Sequence, residues 1–496
     1  MDTFDANQIE NATSRTFCHW PVMKLKNRVF DCRFLFALLL GVYFHGLVVA
    51  DDKPNFIVIF TDDQGYNDLG CFGSKTIKTP NIDRMASEGR KYTSFYVPCS
   101  VCSPSRAALL TGCYPKRVGM HEHVLFPRSE HGLNPEEHTI ADQLKAIGYA
   151  TACVGKWHLG HHAQTLPRAN GFDSYFGIPY SNDMTHPDNK GKPKLSSDEL
   201  WADQSTTITG WKTPLIRNEE IVELPVDQRT ITRRYTDEAI SFVKSNKERP
   251  FFLYLPHSMP HIPLYVPDDV YDADPQNAYK CVIEHIDAEV GRLVQTVRDL
   301  GIADNTYIIY TSDNGPWLQF RNHGGSALPL REGKGTTFEG GQRVPCVMWA
   351  PGRIPAGTST DAFTTTMDLL PTIASITKSE LPDRKIDGYD ISSTFDSDDT
   401  PRDEMIFYSP HGQLQGVRMG DWKYLEIAPR NRRNRPNSKT KKYLFNLAKD
   451  IGEQNNLFDS NAEVAAKLKA RMAIADKEIS ENARPVWRKS MPAEGE

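Results

Sequence analysis

No C-x-x-C pair with a matching second half occurs in the chain, and Cys99 to Cys102 stands alone in that pattern, which argues against a structural zinc site. The order G-x-x-x-x-G-K-[ST] is missing too, so the glycine-rich stretch Gly333 to Gly341 is not a phosphate-binding loop. There is no Asn-x-Ser/Thr site after Ala50, and no internal repeat. Neither charge sign dominates: 58 Lys and Arg against 63 Asp and Glu leave a net charge of −5, which says little about partners beyond making nucleic acid a poor one for an exported chain. What is present is ordinary globular composition, 39% hydrophobic and 24% charged over 496 residues, enough for one large core and a smaller one.

Long apolar runs are few. The one from Phe34 to Ala50 follows Lys24, Lys26, Arg28 and Arg33 and ends Val48-Val49-Ala50 before Asp51-Asp52, the layout of a secretory signal peptide over residues 1–50. Met23 is the more usual start for such a segment, so residues 1–22 read as an upstream extension. The rival is a membrane anchor, because the run approaches the lower limit of about 17 residues for a spanning helix; cleavage is the favoured reading. Either way the remainder is exported, to a secreted or periplasmic location. With Cys102 set aside, the cysteines beyond Ala50 are an even six, which permits disulfides without predicting a pairing.

Apolar, partly β-branched runs each end in a polar cluster. Phe56 to Phe60 leads into Thr61-Asp62-Asp63-Gln64-Gly65, and Tyr149 to Val154 into Gly155-Lys156-Trp157-His158. Phe251 to Leu255 leads into Pro256-His257 and His261, and Tyr307 to Tyr310 into Thr311-Ser312-Asp313-Asn314-Gly315. Such runs read as strands buried on both faces. Helical patterns lie between them, at Thr139 to Ile147, at Arg234 to Val243, and along the stripe Ala278, Val282, Ile286, Val290, Leu293 and Val297. The alternation predicts a doubly wound α/β sheet with ligands beyond the carboxyl ends of its strands, where the polar clusters fall. After a polar stretch from Pro382 to Arg402 the chain changes to short strands, at Met405 to Tyr408, Gln415 to Met419 and Trp422 to Ile427. A terminal helix is expected from about Ala462.

Cys102-Ser103-Pro104-Ser105-Arg106, followed by Ala107-Ala108-Leu109-Leu110, reads as a helix beginning just after Cys102, with positions 102 and 106 on one face. A helix start offers unpaired N–H groups and the positive dipole end, and Arg106 adds a permanent cation, so the setting suits an anion. The same setting is expected to lower the Cys102 thiol pKa. Adjacent Asp62 and Asp63 at a strand end repel unless a cation sits between them, and Asp313-Asn314 supplies further oxygen donors. Lys156 and His158, two positions apart, both point to one side if that segment is extended.

The pentapeptide resembles the signature of type I sulfatases, and the likeness extends along nearly the whole chain beyond Ala50, to the arylsulfatase A and N-acetylgalactosamine-6-sulfatase-like branch. The resemblance implies that Cys102 is oxidised to formylglycine by a maturation enzyme. It implies that one hydroxyl of the hydrated aldehyde attacks sulfur, and that loss of a proton from the other releases sulfate. It further implies calcium bound by Asp62, Asp63, Asp313, Asn314 and an oxygen at position 102, a hard all-oxygen set. Arg106 and His158 are then partners of the diol, Lys156 and Lys334 bind sulfate, His261 binds sulfate and donates a proton, and Ser181 touches sulfate. The fold implied is alkaline-phosphatase-like: a catalytic part over 51–385 and a smaller subdomain of antiparallel sheet and terminal helix over 386–496. His257 reads as structural.

The expected activity is hydrolysis of aryl sulfates in vitro and of a sulfated polysaccharide or glycan in nature. The alternatives are a phosphomonoester or phosphonate hydrolase on the same scaffold, against which the Cys102 signature argues, and a non-catalytic sulfated-glycan binder in which Cys102 is never oxidised. A basic tract, Arg430, Arg432, Arg433, Arg435, Lys439, Lys441 and Lys442, is either a solvated loop or a grip on a polyanionic substrate.

Overall fold

Strand β1, Asn55–Thr61, forms because β-branched and aromatic residues fill both of its faces, and every residue in it is buried. A computed structural model of the chain describes residues 53–185, 194–206, 210–429 and 439–489. The expected signal segment and Arg430, Arg432, Arg433 and Arg435 of the basic tract lie outside the described residues. No described helix is long and apolar enough to cross a membrane.

The remaining strands of the main sheet are β2 (Arg90–Tyr96), β3 (Ala150–Val154), β4 (Ser174–Gly177), β5 (Leu215–Arg217), β6 (Glu220–Glu223), β7 (Phe251–Pro256), β8 (Thr306–Ser312), β9 (Arg343–Trp349), β10 (Thr358–Thr360) and β11 (Thr364–Thr365). Their order is β10-β2-β9-β8-β1-β7-β3-β4-β5-β6, with β11 also paired to β2. Strands β8, β1, β7, β3 and β4 run parallel, while β9 pairs antiparallel with both β8 and β2, and β5 and β6 are antiparallel additions at the other edge. The sheet is therefore mixed.

Alternation in β1 feeds two cores. Ile57 and Ile59 pack with α1 (Pro80–Glu88), α4 (Ile231–Asn246) and α5 (Ala278–Asp299), while Phe56, Val58 and Phe60 pack with α2 (Cys102–Thr111), α3 (Ile140–Ala146) and α6 (Leu369–Thr377). Helices thus cover both faces, as the alternating pattern predicts. Helix α3 opens with a capping box, Thr139 accepting from the Asp142 N–H and Asp142 returning to the Thr139 N–H. A second sheet, β12 (Glu404–Tyr408), β13 (Leu414–Met419), β14 (Trp422–Ile427) and β15 (Lys441–Asn446), is antiparallel in that order, and the terminal helix α7 (Ala462–Glu481) packs with it. These match the short strands and final helix expected from the sequence.

Register brings the strand ends together. Thr61 stands opposite Ser312 and Phe60 opposite Pro256, so the residues that follow β1, β7 and β8 leave the sheet at one edge. Backbone bonds stitch that edge: the Asp313 N–H donates to the Thr61 carbonyl (2.9 Å), His257 to Phe60 (2.9 Å) and Lys156 to Pro256 (2.7 Å). Gly155 makes the last of these possible, because a Cβ there would lie 1.9 Å from the Pro256 carbonyl oxygen and its φ is +137°. Gly155→Ala is expected to cost at least about 3 kcal/mol, since neither neighbouring backbone can retreat without opening the ladder. A thermal midpoint within a degree of the parent's would contradict that.

Candidate active site

Cys102 is the first residue of α2, one position earlier than expected, and the Val101 N-cap has no side chain to satisfy the first-turn N–H groups. Its sulfur lies 3.2 Å from Asp62 Oδ1 and 3.8 Å from Lys334 Nζ. The expected lowering of its thiol pKa is not found. Burial pushes the thiol well above its usual range and the Asp62 carboxylate adds to this, an outcome that the helix-terminus argument left out.

Arg106, one turn on, is wholly buried. Its Nε and Nη2 donate to Asp313 Oδ2 at 3.0 and 2.8 Å, its Nη1 to the Lys156 carbonyl at 2.8 Å, and Nη2 is 3.7 Å from Asp62 Oδ2. The fork therefore ties three strand ends to the helix. Lys156 Nζ pairs with Asp62 Oδ2 and donates to Ser181 Oγ at 3.1 Å. Lys334 Nζ pairs with Asp63 at 2.7 Å and sits 4.1 Å from the Trp317 ring centre. Asn314 Nδ2 donates to Asp63 Oδ1 at 2.7 Å, and the Asp63 N–H donates to Asp313 Oδ1 at 3.2 Å.

The electrostatics follow from burial and neighbours. Burial raises the Asp62 carboxyl, but Lys156, His261, Arg106 and Lys334 outweigh it and hold it well below the usual range. Asp313, pushed up by burial and by Asp62, sits at about 7 despite Arg106. His158 is driven well down by burial and by Lys156 and Arg106, and so is neutral. Its Nε2 faces the Leu125 carbonyl at 2.8 Å, so Nε2 carries the hydrogen; buried Nδ1 has no partner among the described residues and keeps its lone pair. His261 is lowered by burial and by Lys334; its Nδ1 donates to the Ile262 carbonyl at 2.6 Å, leaving Nε2 3.7 Å from Asp63 Oδ2.

The segment Lys156 to His158 is not extended as the spacing suggested. His158 has φ +59°, because the Trp157 and His158 N–H groups bond the Ile178 and Pro179 carbonyls and turn the chain. Lys156 still reaches Asp62 and Ser181, while His158 lines the cleft. His257, buried with neither ring nitrogen bonded among the described residues, is not in its lining.

The cluster fits a divalent cation. Asp62, Asp63, Cys102 and His261 place an atom each within 4.8 Å of one another, and buried Asn314 Oδ1 has no hydrogen-bond partner among the described residues. Above them opens a cleft of about 1250 Å³ whose lining includes Cys102, His158, Ser181, His261 and Lys334. Trp317, His123 and His411 also line it and are not singled out by the sequence; Trp317 directly follows Asp313-Asn314-Gly315-Pro316, and an aromatic so near that candidate pair is the available signal.

The family model described as Sulfatase matches residues 54–379. The chain belongs to the sulfatase family. This sulfatase is 34% identical to arylsulfatase G of Rattus norvegicus, over 89% of its own length and 92% of the relative's. It is 38% identical to arylsulfatase A of Homo sapiens, over 75% and 74%. N-acetylgalactosamine-6-sulfatase falls in the same group, which is the branch that the resemblance along the chain implied. Among solved structures, Ps i-CgsB in complex with k-i-k-neocarrahexaose superposes with a TM-score of 0.72 at 31% identity, covering 88% of this chain and 95% of that one. The protein is thus a sulfuric ester hydrolase of alkaline-phosphatase-like fold.

Proposed function

We propose that this sulfatase hydrolyses sulfate esters of a glycan through formylglycine made from Cys102, with calcium held by Asp62, Asp63, Asp313, Asn314 and the side chain at position 102. The supporting observation is the placement of the Cys102 sulfur at a helix start, between the Asp62 carboxylate and the Lys334 ammonium, in the wall of an open cleft. When present, calcium would supply positive charge beside the bound ester, and the hydrated aldehyde would supply a hydroxyl nucleophile in place of a thiol.

The chain's own side chains do the remaining work. Arg106, Lys156 and Lys334 pair with Asp62, Asp63 and Asp313, so a divalent cation added to them leaves positive charge in excess for an incoming anion. In this reading Lys334 and Ser181, which line the cleft, and Lys156, which donates to Ser181, hold sulfate oxygens as charge builds on them. Neutral His158, with its free Nδ1, accepts a proton from residue 102. His261 takes a proton at Nε2 when an anionic ester offsets Lys334, and passes it to the departing alcohol. Arg106 orients Asp62 and Asp313.

Export by residues 1–50 to a secreted or periplasmic site, a formylglycine-generating maturation enzyme as partner, a catalytic part over 51–385 and a C-terminal subdomain over 386–496 belong to the same proposal. A glycan substrate is favoured by the solved neighbour's bound neocarrahexaose. Nucleic acid is not part of the reading.

Nitrophenol release from 4-nitrophenyl sulfate and 4-nitrophenyl phosphate, with protein matured in the cell, tests it. Sulfate is expected to be preferred by at least about 100-fold in kcat/KM, about 2.7 kcal/mol, with turnover falling on chelation and returning with calcium. Preference for phosphate contradicts the reading.

A further inference from the structure

The cleft does not end at the sulfate site. Its lining also includes His123 and Phe126 from the loop after α2, His411 from the β12–β13 turn, and Lys439 and Lys441 around the start of β15. At about 1250 Å³ it exceeds the roughly 300–1,000 Å³ that encloses a compact small ligand. A single sugar sulfate leaves most of it unfilled.

Two features along this extension have no part in the chemistry above. The first is a set of rings: Phe126 and His123 lie nearly parallel, 10° apart with centres at 6.0 Å, and His123 and His411 at 19° and 4.7 Å. The rings come from segments almost 300 residues apart in sequence, and Phe126 is 51% exposed, a large apolar surface left uncovered inside a cleft. The second is cationic. Lys439 and Lys441 are exposed, and neither pairs with a carboxylate among the described residues. Strand alternation turns Lys442 the other way, over the Phe458 ring, and sends Lys441 and Tyr443 to the cleft. The acids in the lining, Asp183 and Glu332, are neighbours in sequence of Ser181 and Lys334, at the sulfate end.

A saccharide presents flat faces of C–H groups and rims of polar or charged substituents. Rings offer the faces an apolar partner, and unpaired ammonium groups offer charged substituents a counter-ion. We infer that this extension is a binding groove for a second unit of an anionic saccharide chain, whose ring packs on Phe126, His123 and His411 and whose sulfate or carboxylate meets Lys439 and Lys441. The inference deepens the glycan reading and rests on it. The substrate is accordingly a chain charged on more than the unit that is hydrolysed.

Binding of fully sulfated maltotetraose and of glucose 6-sulfate is measured by calorimetry in the Cys102→Ala background, where turnover neither consumes the probe nor enters the signal. The tetraose is expected to bind at least tenfold more tightly than the monosaccharide. Lys439→Glu with Lys441→Glu is expected to weaken tetraose binding at least tenfold and flatten its salt dependence, and Phe126→Ala to weaken it several-fold with the salt dependence kept. Each variant's thermal midpoint checks that it is folded. Equal affinity for the two probes, or affinity and salt dependence untouched by the charge reversal, overturns the groove. Either result leaves the sulfatase reading standing, because that reading rests on aryl sulfate turnover and fails only there.

Discussion

Cys102→Ala is expected to lower kcat for aryl sulfate hydrolysis by at least about 10⁴-fold, about 5.4 kcal/mol of transition-state stabilisation, because it removes the attacking group rather than one of several donors. The remaining cations still hold the ester, so its affinity is expected to change far less than kcat. Stability is not expected to suffer: the thiol lies between a carboxylate and an ammonium, is pushed toward its neutral form, and contributes little packing that Ala lacks. Steady-state kinetics with a calorimetric ester affinity check this. Comparable turnover in the variant would remove residue 102 from the mechanism.

Arg106 carries the second large effect, and it acts through structure as well as charge. Its fork occupies Asp313 Oδ2 through two nitrogens and the Lys156 carbonyl through a third, all with no exposed surface. Arg106→Ala leaves these acceptors buried and unpaired and is expected to cost about 3–5 kcal/mol in stability, with activity lost. Arg106→Lys is the sharper test. A single ammonium keeps the charge but cannot donate to Asp313 and the Lys156 carbonyl in one plane, so it is expected to recover stability in part and kcat/KM hardly at all. Full recovery by Lys would mean that the charge alone matters and that the fork holds nothing in register.

Much of this arrangement was legible in the chain, and the reason is local. Runs such as Phe56 to Phe60 and Tyr307 to Tyr310 read as strands buried on both faces, and parallel pairing then places Asp62, Asp63, Asp313 and Asn314 at one edge. Pro104 followed by Ala and Leu marks the start of α2 at nearly the correct residue. What sequence could not reveal depends on partners far along the chain. The turn at His158 is made by carbonyls of Ile178 and Pro179; the thiol's upward shift comes from burial beneath a complete fold; the ring stack needs His123 and His411 to meet from two distant loops. Strands β5 and β6 were also not foreseen, since the exposed residues Glu220, Ile221 and Val222 carry no inward-facing pattern.

The most direct test of the central claim is the mass of the tryptic peptide Tyr92 to Arg106 from protein whose aryl sulfate turnover has been measured, after alkylation of its thiols. The peptide holds Cys99 and Cys102, so one cysteine serves as an internal control for the other. The account predicts a single alkylated thiol, at Cys99, with an aldehyde at position 102 in proportion to activity. Alkyl groups on both cysteines in fully active protein would contradict it.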